Sequence, residues 1–408
     1  MMMRRIDPAK FTVATRGTSR EINRSIVLNL VRTHERISRA DLARLMGLHR
    51  AAVTLIVNDL LRQKLIVEGA LGRTVRGRRP TFLYIDSRRQ AFAAVDIRAS
   101  QTFLMLTDRL GKPLTRVVGI ATVRDPKKFV RLIAKRIAAL LAEHPDIESC
   151  QEIGVVVPGM VERSTMTVLR APTLGWENVS LGASLSAATG LPVQIEHSGR
   201  AQVMAQAWAM RDNLLTTSGD LVFVSISDGV GVGAMIHGEL LRGRHNLGGE
   251  FGHVPLSLDG PRCSCGTNGC LEAYVGNRAT VARYFGNPID HGPTPAHHRG
   301  FTINDLLARA RERDAKALAA LESTARYLGF GLAAVVNALD PARIYIGGEI
   351  TAAWDLIEGT VRTALAERAL MPSVAKTEIR IVDVGEHPRL QGAAALVASR
   401  AFAAPVVA

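Results

Sequence analysis

The sequence predicts an α/β protein in two parts: a small basic winged helix-turn-helix head, then a larger two-lobed α/β body braced by a structural zinc site. Three observations predict it. Positive charge is concentrated in the first 90 residues, strand and helix signals alternate in two passes after that point, and three of the four cysteines lie between positions 263 and 270.

At 408 residues the chain is too long for one compact core, so two or three domains are expected. Apolar residues make up 47% and charged residues 22%, the balance of a soluble globular protein. Residues 1–90 hold 19 Lys and Arg against 7 Asp and Glu, a balance of +12 out of +14 for the whole chain. A basic module joined to a nearly neutral one reads as a nucleic-acid footprint. A membrane-surface helix is the alternative, but the basic residues are not gathered on one long amphipathic face. Met1-Met2-Met3-Arg4-Arg5 runs into polar residues and not into an apolar signal core, and no uncharged apolar run approaches a membrane span. Few cysteines, used as thiolates, suit a reducing compartment. A cytoplasmic protein without a membrane partner is expected.

The head is expected over residues 1–88. From Arg20 to His34, apolar Ile22, Ile26, Val27, Leu30 and Val31 fall at helical spacing. Ser38-Arg-Ala-Asp41 reads as a helix start with Ser38 as cap, Leu42, Leu45 and Met46 as its stripe, and Gly47 as its end. A further helix from about His49 to Gln63 buries Val53, Ile56, Val57, Leu60 and Leu61. Leu65–Val67 and Thr81–Ile85 read as strands around a basic loop, which completes a winged helix-turn-helix. In that arrangement the second helix enters the major groove of double-stranded DNA. Its exposed start, His49, Arg50, Ala51 and Thr54, would then meet bases or phosphates. Arg73, Arg76, Arg78 and Arg79 in the wing would meet phosphates or the minor groove.

The body is expected over residues 89–408, with lobes of about 89–200 and 201–408. Ala93–Ile97, Thr102–Thr107 and Thr115–Ala121 read as a meander and Pro126–Glu143 as a helix. Ile153–Val157 and Val193–Glu196 are short buried strands, the second followed by a helix from about Arg200. Leu221–Ile226 and Val232–Ile236 open the second pass, which continues with helices at Ile303–Arg313 and Leu318–Ala338. Strands at Arg343–Ile346 and Ile379–Val384 precede a terminal helix. Two similar lobes imply a cleft between them. His291 to Gly300 reads as a surface loop, and its His297-His298 pair as solvated.

Cys263-Ser-Cys265-Gly-Thr-Asn-Gly-Cys270 lies just after His253. Three thiolates and one imidazole make a closed tetrahedral Zn²⁺ site, with His253, Cys263, Cys265 and Cys270 as ligands. Gly266 and Gly269 allow the tight loop this needs. A disulfide is the weaker rival, because Cys263 and Cys265 are too close to bridge comfortably and a thiol would be left over. The lone Cys150 reads as core.

Gly248-Gly-Glu250-Phe-Gly-His253-Val, followed by the cysteine run and Leu271-Glu272, resembles the signature of the ROK family (repressor, open reading frame, kinase). Ala171-Pro-Thr-Leu-Gly175-Trp176 and Gly229-Val-Gly231-Val-Gly233 are similar to further family motifs. The segment ending in Gly77-Arg-Arg-Pro80 resembles the DNA-binding head of ROK repressors. The resemblance implies an actin-like (ribonuclease-H-like) body with a sugar in its cleft. It assigns sugar-hydroxyl contacts to Glu250, His253 and Glu272, and places His197 and Ser198 beside them.

Family kinases need Asp-x-Gly-Gly-Thr to approach ATP and the Asp of Glu-Asn-Asp as general base. This chain has Asp96-Ile-Arg98-Ala99-Ser100 and Glu196-His197-Ser198. An uncharged serine is no base near neutrality, although His197 has a suitable ordinary pKa. No catalytic residue is therefore assigned and ATP is not expected. The expected function is a DNA-binding transcriptional regulator, a repressor, controlled by a carbohydrate or derivative and acting as a homodimer or homotetramer. An ATP-dependent sugar kinase with an accessory head is the alternative, and a vestigial cleft signalling to a protein partner a third reading. Replacing Asn-Asp by His-Ser removes a negative charge near Arg200, which points to a derivatised or acidic sugar.

Overall fold

The computed structural model describes residues 16–34, 36–71, 80–87, 89–210, 220–289 and 300–402. The wing arginines Arg73, Arg76, Arg78 and Arg79, and the histidine pair at 297 and 298, lie outside the described residues.

The head runs α1 (Arg16–Thr33), β1 (Ile37–Ser38), α2 (Arg39–Met46), α3 (Arg50–Arg62), β2 (Ile66–Leu71) and β3 (Thr81–Ile85). The Ser38 hydroxyl accepts the Asp41 N–H while the Asp41 carboxylate accepts the Ser38 N–H, a reciprocal cap that fixes where α2 begins. Gly47 ends α2 at φ 64°, a left-handed turn that costs glycine nothing. Val27, Val31, Leu42, Val53, Val57 and Leu60 close the core against Leu83 of β3. The short β1, which the sequence does not announce, pairs Ile37 with Leu83 and gives a β1-β3-β2 sheet.

The first lobe contains β4 (Gln90–Ile97), β5 (Gln101–Thr107), β6 (Val118–Ala121), α4 (Pro126–Glu143), β7 (Ser149–Val157), β8 (Met160–Glu162), β9 (Thr167–Ala171), β10 (Trp176–Val179), α5 (Leu181–Thr189) and β11 (Val193–His197). Its main sheet is ordered β11-β7-β4-β5-β6, and β8–β10 form a small antiparallel flap. The chain continues through α6 (Ser198–Ala209), β12 (Leu221–Ile226), β13 (Val230–Ile236), β14 (Glu239–Leu240), α7 (Leu271–Val275), α8 (Asn277–Tyr284), α9 (Ile303–Arg311) and α10 (Ala315–Leu339). It ends with β15 (Arg343–Gly347), α11 (Trp354–Arg368), α12 (Pro372–Ala375), β16 (Glu378–Ile381) and α13 (Pro388–Ala401). The second sheet is ordered β14-β13-β12-β15-β16. Each sheet is thus an antiparallel meander joined to parallel strands, one arrangement used twice.

The terminal helix departs from the expected boundary near residue 200. α13 returns to the first sheet, where Leu390, Ala393 and Ala394 pack with Ala94, Met105 and Val156. It lies against α6 so closely that a Cβ at Gly392 would meet the Ala201 carbonyl oxygen at 2.2 Å. Both helices run from the cleft toward the head. Phe402, just past α13, enters the head's core, and its carbonyl accepts the Asn29 side-chain amide at 2.7 Å. Trp208 at the end of α6 donates to the Leu110 carbonyl at 2.7 Å and lies 4.0 Å under the Arg32 guanidinium of α1.

Candidate functional site

The parallel strands β4, β7 and β11 end side by side at the cleft. Asp96 and Glu196 both register against Val156, one from each flank, so they stand about 10 Å apart along the carboxyl edge of the sheet. In open α/β sheets that edge is where ligands bind. Both acids are buried and each is held by two arginines. Arg98 Nε donates to Asp96 Oδ2 at 2.7 Å, and Arg389 Nε lies 2.8 Å from Oδ1. Arg200 Nε donates to Glu196 Oε1 at 2.8 Å and Arg242 Nη1 to Oε2 at 2.6 Å. Burial alone would push the Glu196 carboxyl up, but Arg200 and Arg242 outweigh it and hold its pKa below the usual value. Arg200 is therefore committed to Glu196 and to the Asn246 carbonyl.

His197 caps α6, its Nδ1 accepting the Gly199 N–H at 3.3 Å, and Ser198 opens the helix. Burial, reinforced by Arg200 and Arg389, drops the imidazole pKa to about 4. A ring so weakly basic, with Nδ1 already engaged, is a poor general base near neutrality. That removes His197 as a substitute for the missing aspartate.

On the facing lobe, β13 is packed tightly from both sides. A Cβ at Gly233 would meet the Gly199 carbonyl oxygen at 2.2 Å, and one at Gly252 the Val230 carbonyl oxygen at 2.3 Å. Gly233 therefore serves backbone packing against α6, and Gly252 the approach of the Glu250–His253 turn to β13. Glu272, in the first turn of α7, is buried. Its Oε2 accepts the Val230 N–H at 3.0 Å and its Oε1 the Ser264 hydroxyl at 2.7 Å. Glu250 is half-buried, and burial raises its carboxyl pKa. His253, Arg200 and Glu272 all act on it electrostatically, so the residues expected around a sugar do converge.

His253, Cys263, Cys265 and Cys270 bring one ligand atom each within 4.8 Å of one another. Cys263 Sγ lies 3.6 Å from His253 Nδ1, and Cys265 Sγ 3.7 Å from Cys270 Sγ. Zn–S bonds of about 2.3 Å place tetrahedral sulfurs about 3.8 Å apart, so the donor set and its spacing fit zinc. Gly266 and Gly269, at φ 99° and 74°, make the turns that gather the sulfurs. With Nδ1 on the sulfur side, Nε2 of His253 remains for a ligand.

On the head, His49, Arg50 and Ala51 are exposed at the start of α3, and Arg50 makes no ion pair with any described residue. Thr54 is half-buried with its hydroxyl donated to the Arg50 carbonyl at 2.8 Å. Leu55, one position on, is 71% exposed. His49 makes no side-chain cap, which leaves backbone N–H groups at this helix end open to an acceptor.

The sequence reading missed Arg98, Arg242 and Arg389 as cleft residues. Arg98 was legible, since two residues apart on a strand puts it on the same face as Asp96. Arg242 and Arg389 arrive from distant segments and carry no local signal.

The pattern of the ROK family matches residues 92–400. The xylose repressor of Caldicellulosiruptor bescii is 25% identical over 393 residues, covering 95% of this chain and 98% of that one. The glucokinase of Thermotoga maritima is 29% identical over 315 residues, covering 96% of itself but only 75% of this chain. A crystal structure of a ROK family transcriptional regulator, a homologue of the Escherichia coli Mlc protein, superposes with a TM-score of 0.76 at 26% identity. It covers 94% of this chain and 97% of its own. The regulators match over head and body, whereas the kinase matches over a part the length of the body. The chain belongs to the ROK family, and within it to the transcriptional regulators.

Proposed function

We propose that residues 1–88 bind operator DNA as a winged helix-turn-helix and that the body, residues 89–408, senses a carbohydrate or carbohydrate derivative and controls that binding. The observation that carries the reading is the pair α6 and α13. They start at the cleft, with His197 and Arg389, and end at the head, with Trp208 and Phe402.

On the head, Arg50 and the uncapped start of α3 suit phosphate or base-edge contact. His49, Ala51 and Thr54 complete the surface offered to the major groove, and the wing arginines Arg73, Arg76, Arg78 and Arg79 the backbone contacts. In the cleft, Glu250, His253 Nε2 and Glu272 take sugar hydroxyls, with His197 and Ser198 on the opposite wall. Zinc held by His253, Cys263, Cys265 and Cys270 fixes the turn that carries these groups, a structural role. A sugar held in the cleft shifts the first sheet and the start of α13, at Arg389, while Gly199 of α6 stays packed on Gly233. The packed pair passes that movement to α1, changing how two heads in a homodimer or homotetramer meet successive grooves. A kinase reading has no support in the cleft, because arginines occupy both Asp96 oxygens and no base replaces the missing aspartate.

The test is a gel shift on the DNA upstream of the gene, titrated against sugars and sugar derivatives. One compound should change operator affinity at least fivefold, and Trp208→Ala should reduce that change while leaving sugar binding intact. A specific shift indifferent to every compound would end the carbohydrate reading. Metal analysis should find about one zinc per chain, lost in Cys270→Ser with the sugar response.

A further inference from the structure

Resting on the carbohydrate reading of the cleft, we propose that the ligand carries an anionic group, a phosphate ester, and that Arg98 and Arg389 form its subsite. Along the carboxyl edge of the first sheet, four guanidiniums face two carboxylates. Arg98 and Arg389 share Asp96, and Arg200 and Arg242 share Glu196. That wall is left with surplus positive charge.

The two clusters differ in what they leave open. The Arg200 side chain is 2% exposed and spends Nε and Nη1 inside the protein. Arg98 and Arg389 are 29% and 19% exposed, and both turn Nε toward Asp96. Arg389 Nη2 donates to the Ile97 carbonyl at 2.8 Å. No bond to a described residue engages Arg98 Nη1, Arg98 Nη2 or Arg389 Nη1. Asp96 is thus a buried anion paired with two partly exposed guanidiniums, and the Phe103 ring lies 4.6 Å from the Arg98 guanidinium. Two neighbouring guanidiniums with N–H groups to spare match the oxygens of a phosphate. His387, beside Arg98 and tilted against Phe103 at 5.1 Å, adds a neutral ring whose buried Nδ1 has no partner among the described residues.

The subsite adjoins the sugar groups. Arg389 acts electrostatically on His197, Arg200 acts on both His197 and Glu250, and Glu250 faces His253 and Glu272. One wall of the cleft therefore offers carboxylates suited to hydroxyls, the other guanidiniums suited to an anion. Ser198 at the junction carries no charge to repel a phosphate. A phosphorylated sugar has that same polarity.

Two measurements on the full-length, metal-replete protein test this. Inorganic phosphate should raise the melting temperature relative to chloride at equal ionic strength, and Arg98→Gln should abolish the rise while Arg98→Lys keeps part of it. In calorimetric titration, a hexose 6-phosphate should bind at least tenfold more tightly than the same hexose and the corresponding uronate, and Arg98→Gln should erase that advantage. Equal affinity for the plain sugar, or an Arg98→Gln protein that still prefers the phosphate ester, would overturn the proposal. No response to phosphate or any phosphate ester would overturn it too. A phosphate effect that depends on Arg98, with no sugar bound in any form, would keep the subsite and end the carbohydrate reading.

Discussion

The two hairpins that open the lobes, β4–β5 in the first and β12–β13 in the second, differ in their glycines. In the second lobe, β13 keeps Gly229, Gly231 and Gly233. In the first, the turn after β4 reads Asp96-Ile-Arg98-Ala99-Ser100, where the family's kinases carry paired glycines. Of the kept glycines, Gly233 is pressed by the Gly199 backbone and Gly229 faces the Glu272 carboxylate, whereas a Cβ at Gly231 would meet nothing nearer than 3.9 Å. At the first-lobe turn Arg98 is partly exposed and Ala99 exposed, so side chains there meet open space or Asp96. At Gly233 the fold itself leaves no room for a side chain, whereas the first-lobe turn has room for Arg98 and Ala99.

The largest effect that would test this contrast is at Asp96. Asp96→Asn leaves two guanidiniums with no counter-charge in a buried setting and should cost about 3–5 kcal/mol in denaturant unfolding. A loss under about 1 kcal/mol would mean the arginines are neutralised elsewhere, and the first-lobe hairpin would not be locked as described. Next is Gly233→Ala, which forces a methyl to within 2.2 Å of the Gly199 carbonyl oxygen. It should cost about 3 kcal/mol, since neither backbone can retreat from the other. A near-neutral result would show that the glycines of β13 are held by something other than packing.

That contrast also marks how far the sequence could be read. The capped start of α2, its Gly47 end, α4 and β12 were legible because caps, helical spacing and β-branched runs are local signals. The cluster of His253 with three cysteines was legible because its members fall within a short run. α11 was passed over although Ile357, Val361, Ala364 and Leu365 fall at helical spacing. The flap β8–β10 was missed because its strands are three to five residues long, below the length at which alternation is readable. The return of α13 to the first sheet, and with it the Arg389–Asp96 pair, has no local signature. Arg200 shows the converse. Its spacing of four from Glu196 was visible and is the spacing of an ion pair on one helix face.

A smaller effect separates the two walls by pH. The folded His197 pKa lies at about 4 against an ordinary 6.5, because burial, Arg200 and Arg389 disfavour the imidazolium more than Glu196 favours it. The unfolded chain therefore binds a proton first, so this stability is fully present above pH 6.5 and is lost as pH falls toward 4. Between pH 6.5 and 5 the loss should be about 2 kcal/mol. Subtracting the profile of His197→Gln isolates it. Parallel profiles for the two proteins would mean the ring is not held neutral, and the first-lobe wall would be less positive than its arginines imply.

The smallest effect is the most discriminating. Ala99→Gly restores one glycine of the turn, and because Ala99 is exposed at negative φ it should lower stability by less than about 1 kcal/mol, through the unfolded chain alone. The double variant Arg98→Gly with Ala99→Gly restores the glycine pair. If glycine alone separated this hairpin from a nucleotide-binding one, the double variant would bind ATP. It should not, because Arg389 still holds Asp96 from α13 and Ser198 still stands where a base is needed. Calorimetry with ATP and magnesium that detects binding would show the loss of nucleotide to be a matter of two side chains. Silence in that experiment, together with loss of any phosphate response, would place the difference from a nucleotide-binding hairpin in the whole first-lobe wall, where two guanidiniums sit on a buried carboxylate.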